Sequence, residues 1–243
     1  MFNKKPAEKW DEAYPSGNGI QGVLVMGEPI YETVIFNHER LFLPLPENAS
    51  SEIPDMSDEI EALRGMIWQG RYGEATGFYL RKLHEKGFPS DLIWTDPFHP
   101  AFDLRIRTQK AGEPADYLRW LDFETGEAGV SWTDDRGTVE RRLFVSRKCN
   151  AVIIKINAPA GKKLDCVVSL AERPGKIHIK YTGIFGGGMA DIMPSGALKC
   201  GKTPDDDAWL FFKSLYAVGK GGYCGIVRLH VSGGYTRVHG SRV

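Results

Sequence analysis

The chain has 243 residues, 42% of them hydrophobic, with 31 basic and 31 acidic side chains and a formal net charge of zero. That balance suits a globular protein with a large core and excludes the electrostatic footprint of a nucleic-acid or anionic-membrane binder. No apolar run approaches the ~18 residues of a membrane-spanning helix, and the start, Met1-Phe2-Asn3-Lys4-Lys5, lacks the apolar segment of a signal peptide.

The first patterned stretch is Ala13-Tyr14-Pro15-Ser16-Gly17-Asn18-Gly19-Ile20-Gln21-Gly22, followed by Val23-Leu24-Val25-Met26. Gly17 to Gly22 matches G-x-G-x-x-G, but a dinucleotide site needs a strand before the glycines and a helix after them. Trp10 to Pro15 does not read as a buried strand, and no helix follows, so no nucleotide cofactor is expected. Val23–Met26 and Ile30–Phe36 flank Gly27-Glu28-Pro29 and read as a hairpin. The glycine stretch is then the turn that leads into it. Asn18 tolerates the same backbone region as its glycines and would leave an amide to bond across an interface.

Phe36-Asn37-His38-Glu39-Arg40-Leu41-Phe42 breaks the apolar pattern where a strand would leave its sheet. Residues 46–54 read as a loop, and Asn48-Ala49-Ser50 as a chance glycosylation sequon. A two-helix insertion is expected near 55–86. Asp55 or Ser57 would cap it, Ile60, Leu63 and Ile67 repeat at helical spacing, and Gly70-Arg71-Tyr72-Gly73 breaks it. A Pro- and aromatic-rich loop follows.

Beyond it, period-2 alternation dominates: Phe102, Leu104 and Ile106; Leu118 and Trp120; Ala128, Val130 and Trp132. Glu127 to Ser146 reads as a hairpin across Asp134-Asp135-Arg136-Gly137, and 151–157 with 164–170 as another across Pro159-Ala160-Gly161-Lys162. Residues 177–181 form a further strand, and 183–196 a glycine-rich loop. Leu210–Val218 and Tyr223–Val231 form a last hairpin, and the ending from Tyr235 looks like a strand region cut short. Strands of similar length joined by short turns define an all-β fold, a large antiparallel β-sandwich spanning 1–243 as a single domain.

Few residues suggest chemistry. The six histidines include no i, i+4 helical pair and none is near a cysteine, so no metal is expected. Cys149, Cys166, Cys200 and Cys224 form no C-x-x-C pair and read as reduced thiols of a cytoplasmic protein. Asp205-Asp206-Asp207 reads as a solvated turn, and no nucleophile elbow occurs. Asn37, His38 and Glu39 place three hydrogen-bonding side chains at a strand end, fit for a sugar hydroxyl or a neighbouring domain. The competing reading is that they satisfy local backbone groups. Trp94, Phe98 and His99 could form a face for a sugar ring or fill the core.

Several motifs in order carry a family resemblance. Trp10, the Ala13–Gly22 stretch and Asn37-His38-Glu39-Arg40-Leu41-Phe42 resemble the start of glycoside hydrolase family 95, the α-L-fucosidase-like enzymes. Gly70-Arg71-Tyr72-Gly73-Glu74-Ala75, Tyr117-Leu118-Arg119-Trp120-Leu121-Asp122 and Thr138 to Ser146 resemble later family segments, up to about residue 170. His38 departs from a common Glu, Phe42 from a Trp and Ala101 from a Gly. The resemblance implies an N-terminal β-supersandwich domain whose catalytic (α/α)6 barrel is absent from the chain. The catalytic residues would lie in that barrel, leaving none in this chain. Asn18, Asn37, His38 and Glu39 would then contact substrate or the barrel, provided the glycine turn lies beside Asn37–Glu39. The related family-65 disaccharide phosphorylases, or a freestanding carbohydrate-binding or interaction module, are the alternative readings.

Overall fold

The computed structural model describes residues 1–44, 54–88, 96–173, 195–216 and 220–243. Trp94, Asn48, the strand expected at 177–181 with His178, and most of the loops expected at 46–54 and 183–196 lie outside them. The chain divides into two compact units, Met1–Leu43 with Phe98–Val243, and Pro44–Pro97.

In the larger unit the strands run in chain order as β1 (Phe2–Asn3), β2 (Tyr14–Gly17), β3 (Gln21–Val25), β4 (Tyr31–His38), β5 (Phe102–Thr108), β6 (Ala115–Leu121), β7 (Ala128–Asp134), β8 (Gly137–Ser146), β9 (Ala151–Asn157), β10 (Cys166–Ala171), β11 (Ser195–Lys202), β12 (Ala208–Leu215) and β13 (Gly222–Leu229). They form a first sheet in the order β1-β6-β7-β8-β9, a second in the order β10-β5-β4-β3-β2, and a third, β11-β12-β13. Every pairing among them is antiparallel.

The alternation read from the sequence sets the core in β5, β7 and β8 but is inverted in β6, where Arg119 and Leu121 are buried and Leu118 and Trp120 lie on the other face. Val130, Trp132, Val139 and Leu143 of the first sheet meet Val23, Val34, Leu104 and Ile106 of the second, and Leu210 and Phe212 of the third join the same cluster. The β3–β4, β7–β8 and β12–β13 hairpins are present. The hairpin expected from 151–157 and 164–170 is not. β9 pairs with β8, while β10 crosses to the second sheet and pairs with β5. The Pro159–Lys162 turn forms, with Lys162 N donating to Pro159 O at 3.0 Å, but the residues after it lead the chain over to Gln109, whose N donates to Asp165 O at 2.8 Å. Two apolar runs around a turn do not specify whether the second folds back or changes sheet.

β2 is a second departure. Tyr14–Gly17 is a strand despite containing Pro, Ser and Gly, because it occupies the edge of its sheet, where a missing proline N–H is tolerated. Tyr14 and Ser16 point inward. The chain also returns at its end to pair with β10: Val243 N donates to Val168 O at 3.0 Å, and Val168 N to Val243 O at 2.6 Å.

The smaller unit holds α1 (Ile60–Trp68) and α2 (Tyr72–Glu85). Asp55 Oδ1 accepts from Ser57 N at 2.9 Å and fixes the 3-10 turn Ser57–Glu59 that precedes α1. Lys82 pairs with Glu85 at 2.7 Å and with Glu59 at 3.7 Å, tying α2 to that turn.

Between the two large sheets Glu32 of β4 pairs with Arg141 of β8, 1% and 2% exposed. Glu32 Oε1 accepts from Gly27 N at 2.9 Å and Thr33 N at 3.0 Å, and Arg141 donates to Glu28 O at 2.8 Å. Burial pushes the Glu32 carboxyl upward against the pull of Arg141. Replacing one partner strands the other charge. Glu32→Ala or Arg141→Met should therefore each cost about 3–5 kcal/mol in urea unfolding, and the double replacement by Met should cost less than either single change. Additive losses would show that the pair is not coupled.

Asp207, expected in a solvated turn, is 4% exposed. It accepts from Arg228 Nε at 2.6 Å and contacts His230 Nδ1 at 2.8 Å, two groups brought alongside by β13. Those partners hold its carboxyl below the usual aspartate value of 3.8. A lowered native pKa gives stability that is complete above 3.8 and lost as pH falls through the lower native value. The gap in urea midpoint between wild type and Asp207→Asn should accordingly be wide above pH 3.8 and narrow steadily as the pH is lowered below it. A gap that persists at the acid end would rule out the carboxylate as its source.

Candidate functional site

The glycine stretch is itself a hairpin turn, joining β2 to β3 and thus lying one strand earlier than expected. Gly17 pairs with Gly22, and Asn18 N donates to Gln21 O at 3.1 Å. Asn18 Oδ1 accepts from Ile20 N at 2.9 Å and Gln21 N at 2.8 Å, an Asx turn. Gly19 adopts φ +95°, a region a side chain would strain.

The Asn18 amide is not left for an interface. Its Nδ2 donates to Ser146 O at 3.1 Å and Asn150 Oδ1 at 2.8 Å, and Gln21 Nε2 donates to Asn150 O at 2.6 Å. The hairpin of the second sheet is thereby tied to the β8–β9 connection of the first.

Asn37, His38 and Glu39 stand beside this turn. Asn37 pairs with Gly22 and His38 with Gln21 in the β3–β4 ladder, and Glu39 N donates to Ile20 O at 2.9 Å. All four predicted residues therefore lie at one end of the second sheet. Part of their capacity is satisfied locally: Asn37 Oδ1 accepts from His38 N at 2.8 Å, and His38 Nδ1 accepts from Arg40 N at 3.2 Å. An accepting Nδ1 puts the proton of the neutral ring on Nε2. Glu39 is exposed, 3.6 Å from Arg40.

The next residues add an aromatic edge. Leu41 N donates to His38 O at 3.0 Å, and Phe42 bridges to Phe98. The two rings are 5.5 Å apart, tilted by 58°, and 45% and 53% exposed. Phe98 thus presents a ring to solvent, whereas His99 is buried against Tyr216 and Tyr223. Burial lowers the His99 pKa. Its Nδ1 donates to Pro100 O at 2.9 Å, leaving Nε2 to accept from the Tyr216 hydroxyl at 2.9 Å. His99 is therefore a core group. The sequence reading missed Phe42 as the partner of Phe98, since the two lie in separate connections and only the fold joins them. Among the described residues no cluster of His, Cys, Asp and Glu is arranged to hold a metal ion.

The arrangement can bind but shows no paired acid and base of its own: donors, one carboxylate and an aromatic pair sit on a sandwich end. That is a sandwich domain of the kind found in glycoside hydrolases. Residues 1–182 match the family model "Glycosyl hydrolase family 65, N-terminal domain", and the chain belongs to that family. Over 162 residues it is 27% identical to "Probable alpha-fucosidase A" of Aspergillus oryzae, covering 63% of this chain and 21% of that protein. Over 167 residues it is 26% identical to "Alpha-L-fucosidase 2" of Arabidopsis thaliana, covering 68% of this chain and 19% of that protein. The chain spans about a fifth of the length of these relatives. No helix among the described residues is long and apolar enough to cross a membrane.

Four hydrogen bonds converge on the Asn18 side chain. At about 0.5–1.5 kcal/mol net for each bond, with partial compensation by water, Asn18→Ala should cost about 1–3 kcal/mol in urea unfolding. Asn18→Asp keeps the turn acceptor but sets an oxygen against Ser146 O, so it should recover only part of that loss. An unchanged midpoint in Asn18→Ala would refute a structural role for the side chain.

Proposed function

We propose that residues 1–243 form the N-terminal supersandwich domain of a longer, cytoplasmic glycoside hydrolase that cleaves an α-L-fucoside or related sugar by inversion. In this reading the catalytic acid and the water-activating residue come from an (α/α)6 barrel outside the chain. The sandwich packs on that barrel and supplies part of the pocket rim, and the chain alone does not turn over substrate. No cofactor is required. The observation behind the reading is that Asn18, Asn37, His38 and Glu39 lie at one end of the second sheet, with the exposed Phe42–Phe98 ring pair in the segment that follows. Free thiols at all four cysteines support a reducing compartment.

The chemistry suits a 6-deoxy sugar. The His38 Nε2–H and the Asn37 amide can donate to ring hydroxyls, and Glu39 can accept. Phe42 and Phe98 offer an apolar surface for C–H groups or an exocyclic methyl. Asn18 acts indirectly, by holding the hairpin beside His38.

These groups would bind the ground state and the transition state alike. In the full-length enzyme acting on an aryl α-L-fucoside, His38→Ala should raise KM up to about tenfold with little change in kcat, the loss of one hydrogen bond of about 1 kcal/mol. The 243-residue chain alone should show no turnover. Hydrolysis by that chain, abolished by a point mutation, would overturn the reading, and so would an unchanged KM in His38→Ala. The family-65 match favours a disaccharide phosphorylase as the second reading. Release of a sugar 1-phosphate that depends on added phosphate would select it.

A further inference from the structure

At the open end of the third sheet three reactive side chains stand in line. Ala208 pairs with Leu229 at the last step of the β12–β13 ladder, so the residues one step beyond, Asp207 and His230, lie side by side. Asp207 is 4% exposed, and His230 Nδ1 donates to its Oδ1 at 2.8 Å. With the proton on Nδ1, the neutral ring keeps its lone pair on Nε2. There the Ser232 hydroxyl donates at 3.5 Å. A buried carboxylate that orients a histidine, which in turn accepts from a serine hydroxyl, is the arrangement that activates a nucleophile. The serine–histidine distance is long, as it commonly is before substrate draws such a bond tight.

The turn after the serine adds donors. Gly233 adopts φ +73°, and a Cβ at Gly234 would fall 2.9 Å from Val231 Cγ1, so Ser232-Gly233-Gly234 needs both glycines. The N–H groups of Gly233 and Gly234 have no backbone acceptor among the described residues. Backbone donors beside a nucleophile can take up the charge of a developing oxyanion. Anchoring of β13 is complete with Arg228, whose Nε donates to Asp207 Oδ2 at 2.6 Å, and His230. Neither Ser232 nor the two free N–H groups is needed for that role.

We propose that Asp207, His230 and Ser232 form a site that hydrolyses short-chain acyl esters, separate from the strand-end site and independent of the function proposed for it. Ser232 Oγ attacks the carbonyl carbon while its proton passes to His230 Nε2. The C–O bond to the alcohol then breaks, His230 returns the proton to the leaving oxygen, and Ser232 carries the acyl group. Water, deprotonated by His230, attacks that ester and releases the carboxylic acid and the serine hydroxyl. The His230 side chain is 71% exposed, so the serine can reach an acyl group borne on a larger alcohol. Val231, 45% exposed beside the turn, offers apolar contact for a short chain. Arg228 shares the carboxylate and weakens the base, so turnover is slow.

The 243-residue chain is given p-nitrophenyl acetate and, separately, a fluorophosphonate that traps activated serines. Hydrolysis should be saturable, and the phosphonate should attach to Ser232, located by peptide mass. Ser232→Ala leaves Asp207, Arg228 and His230 in place and should keep the wild-type urea midpoint while losing about tenfold or more of the turnover. His230→Ala should lose both turnover and labelling. Exposed histidines elsewhere give a non-saturable background that Ser232→Ala retains. Hydrolysis equal to wild type in Ser232→Ala, absence of label from Ser232, or labelling of Ser232 at the same rate in His230→Ala would each overturn the proposal. An aryl α-L-fucoside plays no part in these assays, so their failure leaves the glycoside hydrolase reading untouched.

Discussion

A buried charge pair governs how the two large sheets of the sandwich meet. Glu32 and Arg141 belong to different sheets and are separated by over a hundred residues in sequence. Burying such a pair adds little net stability compared with apolar packing. Its effect is on register. Side chains alternate along a strand, so slipping β4 by one residue would turn Glu32 outward and leave Arg141 stranded in the core. Arg119 does related work nearby: its Nη1 donates to Glu12 O at 3.0 Å and Met26 O at 3.4 Å, and its guanidinium lies 4.5 Å from the Tyr14 ring. Two arginines of the first sheet thus reach across to carbonyls in the connections of the second.

That constraint carries along β4 to the candidate site. Six residues separate Glu32 from His38, about 20 Å at ~3.3 Å per residue. With Glu32 turned inward, the faces taken by Asn37 and His38 follow. β8, the strand of Arg141, ends at Ser146, whose carbonyl accepts from Asn18. β4 and β8 are therefore linked twice: through the ion pair, and at the far end through the glycine-rich hairpin. The hairpin acts as the clamp that brings the second sheet's edge to the end of the first.

The parts of this design that rest on local pattern were legible. Alternation marked β5, β7 and β8, and the turns at Gly27-Glu28-Pro29 and Asp134–Gly137 marked their hairpins. Charged residues that face inward were not legible, because the partner that permits their burial is distant in sequence. Nothing in the pattern marked Arg119, Arg141 and Glu32 as buried, and Asp207 read as part of a solvated run. β2 escaped notice since only Tyr14 among its residues favours a strand, and its pairing comes from β3. The β9–β10 connection shows the same limit at the level of topology: the turn formed, but the choice of sheet was set by β5. At the strand end, Asn37 to Glu39 were visible as a break in an apolar pattern, whereas the ring pair beside them was not.

The family match ends at residue 182, yet the core does not. Phe212 of β12 lies 5.4 Å from Phe102, and Gly225 of β13 leaves room for the Phe102 ring, which a Cβ there would meet at 2.2 Å. Tyr223 donates to Ala101 O at 2.8 Å, and Tyr216 donates to His99. The third sheet thus packs behind the segment 98–102 and supports it. Phe98 is held at the surface because His99, its neighbour, is anchored in this aromatic cluster. The position of the exposed ring at the candidate site therefore depends on residues beyond the stretch that matches the family. Two members alike over the matched stretch can still present different aromatic edges at this sheet end, through changes in the third sheet that touch neither ring.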